Sequence, residues 1–271
     1  MCTAFCRIGA YLLLLALLIG AGGCDGTTVT EASETLTVAA AADVTYAFTE
    51  IGTLFEAETG YRVRFHFGST GQLTQQIEQG APVDLFAAAN QAAIAELERL
   101  GLILPDTKRL YARGQLIVWT RADSPLALTG IADLIQPDVQ RIAIANPEHA
   151  PYGVAAREAL QNAGLWEIVQ PKLVLAENVR QAFEYVANGD VDVAIIALSL
   201  NPPAATASIQ PGRWVLIPQA LYTPIDQALA VIKDTRHEQA ARTLADFITG
   251  PTGRAVLGRY GFLLPDESPM P

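Results

Sequence analysis

The sequence predicts an α/β protein with two lobes, on three observations. Short β-branched runs alternate repeatedly with longer stretches of helical periodicity, which is typical of α/β layers built around parallel strands. This alternation occurs in two similar series. A further strand and two helices follow the second series, so we expect the chain to cross over and then return to the first lobe. With 271 residues, 51% of them hydrophobic, the chain is long enough for one large or two modest domains.

The first series begins with the strand "TLTVAAAA", from Thr35. A helix follows, with apolar residues at helical spacing between Val44 and Phe55, and it ends at Gly60. Strands and helices then alternate through "YRVRFHFG", "QLTQQIEQG", "VDLFAAA" and "AAIAELERLG". Residues 35–113 are therefore assigned to the first part of lobe one.

The second series is assigned to lobe two, residues 114–223, and opens at the strand "QLIVWT". Three more strands, "RIAIAN", "KLVLAE" and "VDVAIIAL", alternate with predicted helices over 153–164 and 179–188. The segment "NPPAATASIQPG" that follows has the composition of a loop.

The remaining residues, 224–271, are predicted to return to lobe one. They contain the strand "QALAVI" and, from His237, two helices separated by Gly250 and Pro251. Ligands of open α/β sheets bind outside the carboxyl ends of the strands. The cleft between the two lobes is therefore the expected binding site.

The first 23 residues have the features of a secretion signal. An apolar run from Ala10 to Ile19 follows a single positive charge, Arg7, and gives way to small residues before Cys24. A run of this length reaches about half of the roughly 20 residues that a membrane-spanning helix needs. We expect residues 1–23 to be removed, and residues 24–34 to form a polar tether.

Cleavage before Cys24 would also remove Cys2 and Cys6, so no structural disulfide is expected in the mature chain. The segment "LLIGAGGC" resembles the lipobox of bacterial lipoproteins, although Ala21 stands where Leu is commoner. This resemblance implies that Cys24 is lipid-modified and anchors the protein to a membrane surface outside the cytoplasm.

Charge and residue content exclude two classes of function. The chain has 18 Lys and Arg against 28 Asp and Glu, a net charge of −10, which disfavours nucleic acid as a partner. The three histidines, at positions 66, 149 and 237, are far apart and have no metal-ligand spacing. Neither a metal site nor a cofactor is expected.

Four segments have the pattern of an anion site, because in each a strand ends in small or polar residues just before a helix. Three of them are "AAAADVT" at 39–45, "FGSTGQL" at 67–73 and "LAENVRQA" at 175–182. The fourth, "NPEHAPYGVAAREAL", places Pro151, Tyr152 and Gly153 before its helix. Free N–H groups and the helix dipole at such ends favour anions.

Ser69 and Thr70 lie between two glycines, so their hydroxyl and N–H groups are open to a ligand, although a hydroxyl there is also a common N-cap. An exported hydrolase using Ser69 or Thr70 is the remote alternative. It requires His66 or His149 within about 3 Å of a hydroxyl, which the sequence does not establish.

Taken in order, five segments resemble the molybdate-binding proteins of ABC importers. They are "AAAADVTYAFTEI", "FGSTGQLTQQIEQGAPVDLFAAAN", "IANPEHAPYGVAAREALQNAGLW", "AENVRQAFEYVANGDVDVAIIALS" and "GPTGRAVLGRYGF". The resemblance covers nearly all of the chain from Leu36 to Phe262. It implies a type II periplasmic-binding-protein fold, in which two lobes, each a mainly parallel sheet flanked by helices, are joined by crossover strands.

The resemblance also implies that neutral donors hold a tetrahedral oxyanion in the cleft. The residues at the matching positions are Ala42, Asp43, Ser69, Thr70, Tyr152 and Val179. The implied function is capture of molybdate and tungstate outside the cytoplasmic membrane, and delivery to an ABC permease by a monomeric protein that is not an enzyme. Sulfate or phosphate on the same fold is the nearest alternative.

Two positions depart from this family. Asp43 stands where many members have Ser or Asn, and its side chain is expected either to cap the helix at Thr45 or Tyr46 or to stay protonated beside the anion. Ala197 stands where some members have a ligand-reaching Tyr. The Tyr152 hydroxyl either replaces that contact or packs at the hinge. Arg180, the nearest cation, is interpreted as a solvated surface residue.

Overall fold

The computed structural model describes residues 35–201 and 212–265. The predicted signal, the tether and Cys24 lie outside the described residues, as does most of the predicted loop after Asn201. All described residues belong to one compact unit, Ser33–Pro271.

The first sheet has five strands in the order β2-β1-β3-β10-β4. Their bounds are β1 (Thr35–Ala41), β2 (Arg62–Gly68), β3 (Leu85–Ala88), β4 (Arg109–Gly114) and β10 (Ile225–Val231). Strand β1 pairs in parallel with β2 and β3, whereas β10 pairs antiparallel with both β3 and β4. Only the returning strand, β10, therefore runs against the other four.

The second sheet repeats this arrangement in the order β7-β6-β8-β5-β9. Its strands are β5 (Leu116–Thr120), β6 (Ile142–Ala145), β7 (Leu173–Ala176), β8 (Val193–Ala197) and β9 (Arg213–Leu216). Here β5, the first strand after the chain leaves the first sheet, is the one antiparallel to its neighbours. The predicted α/β fold with two mainly parallel sheets is confirmed.

Helices cover both sheets. They are α1 (Thr45–Thr59), α2 (Thr70–Glu78), α3 (Gln91–Arg99), α4 (Pro151–Asn162), α5 (Trp166–Val169), α6 (Val179–Asn188), α7 (Glu238–Thr249) and α8 (Pro251–Arg259). Within the described ranges, no helix combines the length and the apolar character that a bilayer crossing needs.

The core of lobe one lies on both faces of its sheet. Phe48, Leu244 and Leu257 bury one face beneath α1, α7 and α8, and Leu73 and Ile94 bury the other beneath α2 and α3. Lobe two has its own continuous core, centred on β5, β6 and β8. Each sheet is thus held rigidly, and the ends of its strands are fixed in space.

The chain passes between the sheets where β4 ends at Gly114 and β5 begins at Leu116, and it returns between β9 and β10. The limits of 113/114 and 223/224 that we assign to the lobes from the sequence stay predictions. Three elements were not predicted: the short helix α5 and the edge strands β4 and β9. Both edge strands carry Arg and exposed positions, so neither has the apolar run that identifies a buried strand.

The first turn of helix α4 approaches the end of β6 so closely that only glycine fits at position 153. A Cβ atom on Gly153 would overlap the carbonyl oxygen of Ala145. Gly258 in α8, by contrast, is exposed and has open space around the position of a Cβ atom.

We expect Gly153→Ala to destabilise the protein by about 1–3 kcal/mol, because overpacking must push α4 away from β6. The matched control, Gly258→Ala, should stabilise it by up to ~1 kcal/mol through helix propensity. Urea unfolding followed by circular dichroism measures both. Equal effects of the two substitutions would contradict the close approach of α4 to β6.

Candidate functional site

A small cavity lies between the two lobes and contains about 200 Å³ of empty space, part of it open to solvent. All six residues singled out in the sequence line it. The complete lining is Ala41, Ala42, Asp43, Gly68, Ser69, Thr70, Ala89, Ala150, Pro151, Tyr152, Asn178 and Val179. Residues more than 130 positions apart in the chain therefore meet at one place.

Each lobe contributes two junctions between a strand and a helix. In lobe one, Ala42 and Asp43 form a short 3-10 turn between β1 and α1, and Ser69 precedes α2 directly after β2. In lobe two, Tyr152 lies in the first turn of α4, and Val179 is the first residue of α6. Because β1, β2, β6 and β7 all end toward the cleft, their helices begin there.

The helix starts supply backbone donors to the cavity. Thr70 and Val179 open α2 and α6, and Tyr152 is the second residue of α4, so their N–H groups have no acceptor within the helix. Asn178 caps α6 by accepting from Gln181 N at 3.0 Å. These N–H groups and the positive ends of three helix dipoles favour negative charge in the cavity.

The Thr70 hydroxyl has its proton available for a ligand. Its oxygen accepts a hydrogen bond from Ala89 N at 3.0 Å, and both residues line the cavity. A hydroxyl that accepts from the protein in this way can donate into the cavity.

Ser69 has two partners. As the N-cap of α2 it accepts from Gln72 N at 3.4 Å, and its Oγ lies 2.8 Å from His149 Nδ1. The distance condition stated for a hydrolase is therefore met by Ser69 and His149. His149 Nε2 is 4.0 Å from a carboxylate oxygen of the exposed Glu177.

The same region links the two lobes directly. Gly71 N donates to His149 O at 2.9 Å, and Gln72 Nε2 donates to Glu177 Oε2 at 2.6 Å. A Cβ atom on Gly71 would lie only 2.7 Å from that His149 oxygen. Helix α2 of lobe one is thus in van der Waals contact with the loop before α4 of lobe two.

Asp43 is 1% exposed and is the only acidic residue in the cavity lining. Its Oδ2 accepts from Gln227 Nε2 at 2.5 Å and from Tyr152 Oη at 3.0 Å. Its Oδ1 is buried and has no partner among the described residues. Burial raises the pKa of Asp43 to about 6, although the bonds from Gln227 and Tyr152 oppose that rise.

The expectation that the Asp43 side chain caps a helix at Thr45 or Tyr46 is wrong. Helix α1 begins at Thr45 without any side-chain cap. Asp43 lies within the 3-10 turn Ala42–Val44, and its side chain reaches inward to α4 and β10 instead.

The Tyr152 hydroxyl lies beside Gly114, where the chain passes from lobe one to lobe two. It donates to Asp43, it accepts from Gln227 Nε2 at 3.1 Å, and it occupies the space that a side chain on Gly114 would need. Tyr111 Oη completes the network by donating to Gln227 Oε1 at 2.6 Å. This position fits the hinge-packing alternative, while the N–H group of Tyr152 remains beside the cavity.

Sequence reasoning missed Gln227, Tyr111 and the pairing of His149. A signal existed for Gln227, because it is the one polar residue in the predicted strand "QALAVI", and an amide that is buried with such a strand needs partners. The partners of His149 come from a distant segment, and no local pattern indicates them.

No positive charge lines the cavity. The guanidinium of Arg180 pairs with Glu184 at 3.1 Å, and its side chain is 42% exposed. Over the described ranges, no group of three or more His, Cys, Asp or Glu side chains is placed to hold a metal ion. The arrangement is suited to a small anion held by uncharged donors.

Comparison with known proteins gives relatives along almost the whole chain. The molybdate-binding protein ModA of Rhodobacter capsulatus is 33% identical over 95% of this chain and 96% of its own length. The putative ABC transporter substrate-binding lipoprotein YvgL of Bacillus subtilis is 29% identical over 93% of this chain and 95% of its own.

A solved structure has the same fold. The periplasmic molybdate-binding protein of Azotobacter vinelandii superposes with a TM-score of 0.81, at 30% identity, over 85% of this chain and all of that one. Residues 36–263 match the family model described as bacterial extracellular solute-binding protein. The chain therefore belongs to the family of bacterial extracellular solute-binding proteins.

Proposed function

We propose that this protein is the substrate-binding component of an ABC importer and that it captures molybdate. The observation that carries the proposal is the meeting of four strand–helix junctions, two from each lobe, at one small cavity with uncharged donors. The relatives from Rhodobacter and Azotobacter are molybdate-binding proteins, which supports molybdate as the anion. Tungstate, which has the same charge and shape, is included in the proposal.

The candidate ligand groups act by replacing water around a dianion. Backbone N–H groups of Ala42, Thr70, Tyr152 and Val179 and the Thr70 hydroxyl supply hydrogen bonds without bringing a counter-ion into the cleft. Hydrogen bonds to a charged acceptor are about twice as strong as neutral ones, so several of them compensate for the lost hydration.

Ser69 contributes a donor only in one arrangement of its hydrogen bond with His149. If Nδ1 carries the proton, it donates to Ser69 Oγ, and the Ser69 proton is free to bind the anion. If Nδ1 is bare, Ser69 must donate to it and turns lone pairs toward the ligand. Anion binding therefore favours the form of His149 that is protonated at Nδ1.

Binding and closure are the same event in this proposal. Donors from both lobes reach the anion together only when the cleft is closed, so the ligand shifts the protein toward the closed state. The partner permease is proposed to recognise that state. No turnover is part of this function.

The first 34 residues, which lie outside the described structure, bear on the location of the mature protein. We propose export, lipid attachment at Cys24 and a monomer tethered to the membrane surface outside the cytoplasm. The pattern "LLIGAGGC" and the lipoprotein name of the Bacillus relative support attachment.

The Ser69–His149 distance favours one second candidate, an exported hydrolase. It would use Ser69 as nucleophile and His149 as base, with Glu177 orienting the imidazole. Glu177 is exposed and already accepts from Gln72, and the family is one of binding proteins. Turnover of an ester that Ser69→Ala abolishes would favour the hydrolase.

Calorimetric titration with molybdate, tungstate, sulfate and phosphate tests the proposed function. We expect one molybdate or tungstate ion per chain, bound far more tightly than sulfate or phosphate. Sulfate that binds as tightly as molybdate would overturn the assignment of the anion while leaving an oxyanion-binding protein.

The backbone donor at Val179 can be removed without breaking its helix. Proline is favoured at the first helical position, and Asn178 before it has the extended conformation that a following proline needs. We expect Val179→Pro to weaken molybdate binding about 10- to 150-fold, the equivalent of a charge-assisted hydrogen bond of ~1.5–3 kcal/mol.

Val179→Ala is the matched control, because it shortens the same side chain and keeps the N–H group. Its affinity should stay close to that of the unsubstituted protein. If both variants lose affinity equally, the side chain and not the N–H group is responsible. Circular dichroism spectra that match the unsubstituted protein establish that α6 is intact.

A side chain at position 71 should hinder closure selectively. Gly71→Val places atoms against the backbone of His149 across the cleft, so the closed state loses about 1–3 kcal/mol and molybdate affinity falls at least fivefold. Gly258→Val, the same change far from the cleft, should leave affinity unaltered. Unchanged binding by Gly71→Val would show that this close approach is not part of the liganded state.

A further inference from the structure

The two oxygens of the Asp43 carboxyl group differ in their hydrogen bonds. Oδ2 receives two hydrogen bonds, from Gln227 and Tyr152, whereas Oδ1 is buried without a partner among the described residues. A buried polar atom that has lost its hydration without gaining a hydrogen-bond partner is energetically unfavourable. Since Asp43 lines the cavity, the missing partner is expected to come from the ligand.

An ionised Asp43 would be a poor neighbour for a dianion. A carboxylate oxygen offers only lone pairs, and so do the oxygens of molybdate, so Oδ1 and the anion would repel each other. None of the ion pairs among the described residues includes Asp43, and no positive charge in the lining offsets this repulsion. A proton on Oδ1 changes the repulsion into a hydrogen bond.

The other titratable groups around Asp43 are either neutral or paired with an opposite charge, so they do not offset the repulsion between an ionised Asp43 and the anion. Tyr111 from β4 and Tyr152 from α4 are neutral phenols whose pKa values burial raises well above their usual range. Tyr46 on α1 is likewise a phenol with a raised pKa. On α6, Arg180 is paired with Glu184. The remaining contacts, from Gln227 and Ser199, are uncharged.

We propose that Asp43 binds the oxyanion in its protonated form, donating from Oδ1 to a ligand oxygen, so that at neutral and higher pH one proton enters the site with each anion. This inference rests on the proposed function, because it specifies how the same cavity accepts a dianion. Asp43 is thereby a ligand-binding residue whose O–H group needs an acceptor oxygen on the ligand.

The pH dependence follows from the position of the proton. With a pKa of about 6, Asp43 is mostly ionised in the empty protein at pH 7 and above, so binding must take a proton from water or buffer. Affinity should fall about tenfold for each pH unit above ~7 and should level off below pH 6, where the group is already protonated.

Calorimetry with sodium molybdate, at about pH 5.5, 6.5, 7.5 and 8.5, in pairs of buffers that differ in ionisation enthalpy, counts the protons directly. We expect close to one proton taken up per molybdate at pH 7.5 and 8.5. Asp43→Asn places an amide donor in the same position, and it should bind molybdate without proton uptake and with equal affinity across the range. The control Asp123→Asn, in an exposed ion pair with Arg121, should keep the pH dependence of the unsubstituted protein.

Three outcomes would overturn the proposal. Binding of molybdate with constant affinity and no proton uptake means that Asp43 stays ionised. A pH dependence that persists in Asp43→Asn assigns the proton to another group, such as His149. Phosphate that binds in preference to molybdate at pH 8.5 means that the ligand brings its own proton. If neither protein binds molybdate at any pH, the proposed function itself fails.

Thermal unfolding without ligand tests the buried carboxyl group separately. The folded-state pKa lies above the ordinary value of 3.8, so the stabilisation is present at low pH and is lost as pH rises through about 6. The melting temperature of Asp43→Asn should therefore rise relative to the unsubstituted protein between about pH 4.5 and 8. A difference that is constant with pH would contradict a raised pKa.

Discussion

The structure of the site depends on one electrostatic constraint, which is that a small anion leaves water only where hydrogen-bond donors replace its hydration on all sides. One helix start cannot surround an anion. The fold meets the constraint by ending two strands of each sheet at the same cleft and starting a helix after each of them. Most of the proposed donors are backbone groups fixed by the two packed cores, so little conformational entropy would be lost when an anion binds.

The net negative charge of the chain repels an anion, but salt limits this repulsion to short distances. The chain carries a net charge of −10, yet salt screens charges beyond about 8–10 Å at physiological ionic strength. Within the cavity, the proposed donors at Thr70 and Val179 would act at contact distance and in a low dielectric. Using uncharged donors also leaves no buried cation behind when the anion departs, so release does not require a new partner for a buried charge.

The sequence predicts most of the fold because its signals are local. The strand before Gly68 and the helix that Gly189 ends are visible in periodicity and in a single glycine, and the structure places them accordingly. The family resemblance identifies the six predicted site residues, and each of them lies at or beside a strand–helix junction that the sequence also indicates. Strands β4 and β9 were not predicted, because neither has an apolar run. The lobe contact through His149 and the inward turn of Asp43 were not predicted either, since both depend on residues far away in the chain. For Asp43 the local rule predicts helix capping, but the side chain instead accepts two buried hydrogen bonds, from Tyr152 and Gln227.

The network around Asp43 also connects the anion site with the hinge. Gln227 lies on β10, the strand by which the chain returns to lobe one. Tyr152 belongs to lobe two and packs against Gly114, where the chain first leaves lobe one. The two side chains and the Asp43 carboxyl group are mutually hydrogen-bonded, so they join both crossings and both lobes. A change in the charge of Asp43 alters the strength of both of its hydrogen bonds, from Tyr152 and from Gln227, at once. In the proposed mode of binding, protonation of Asp43 and anion binding are therefore coupled to the two segments that connect the lobes, and a substitution at either segment should change the energetics of the site without touching the ligand.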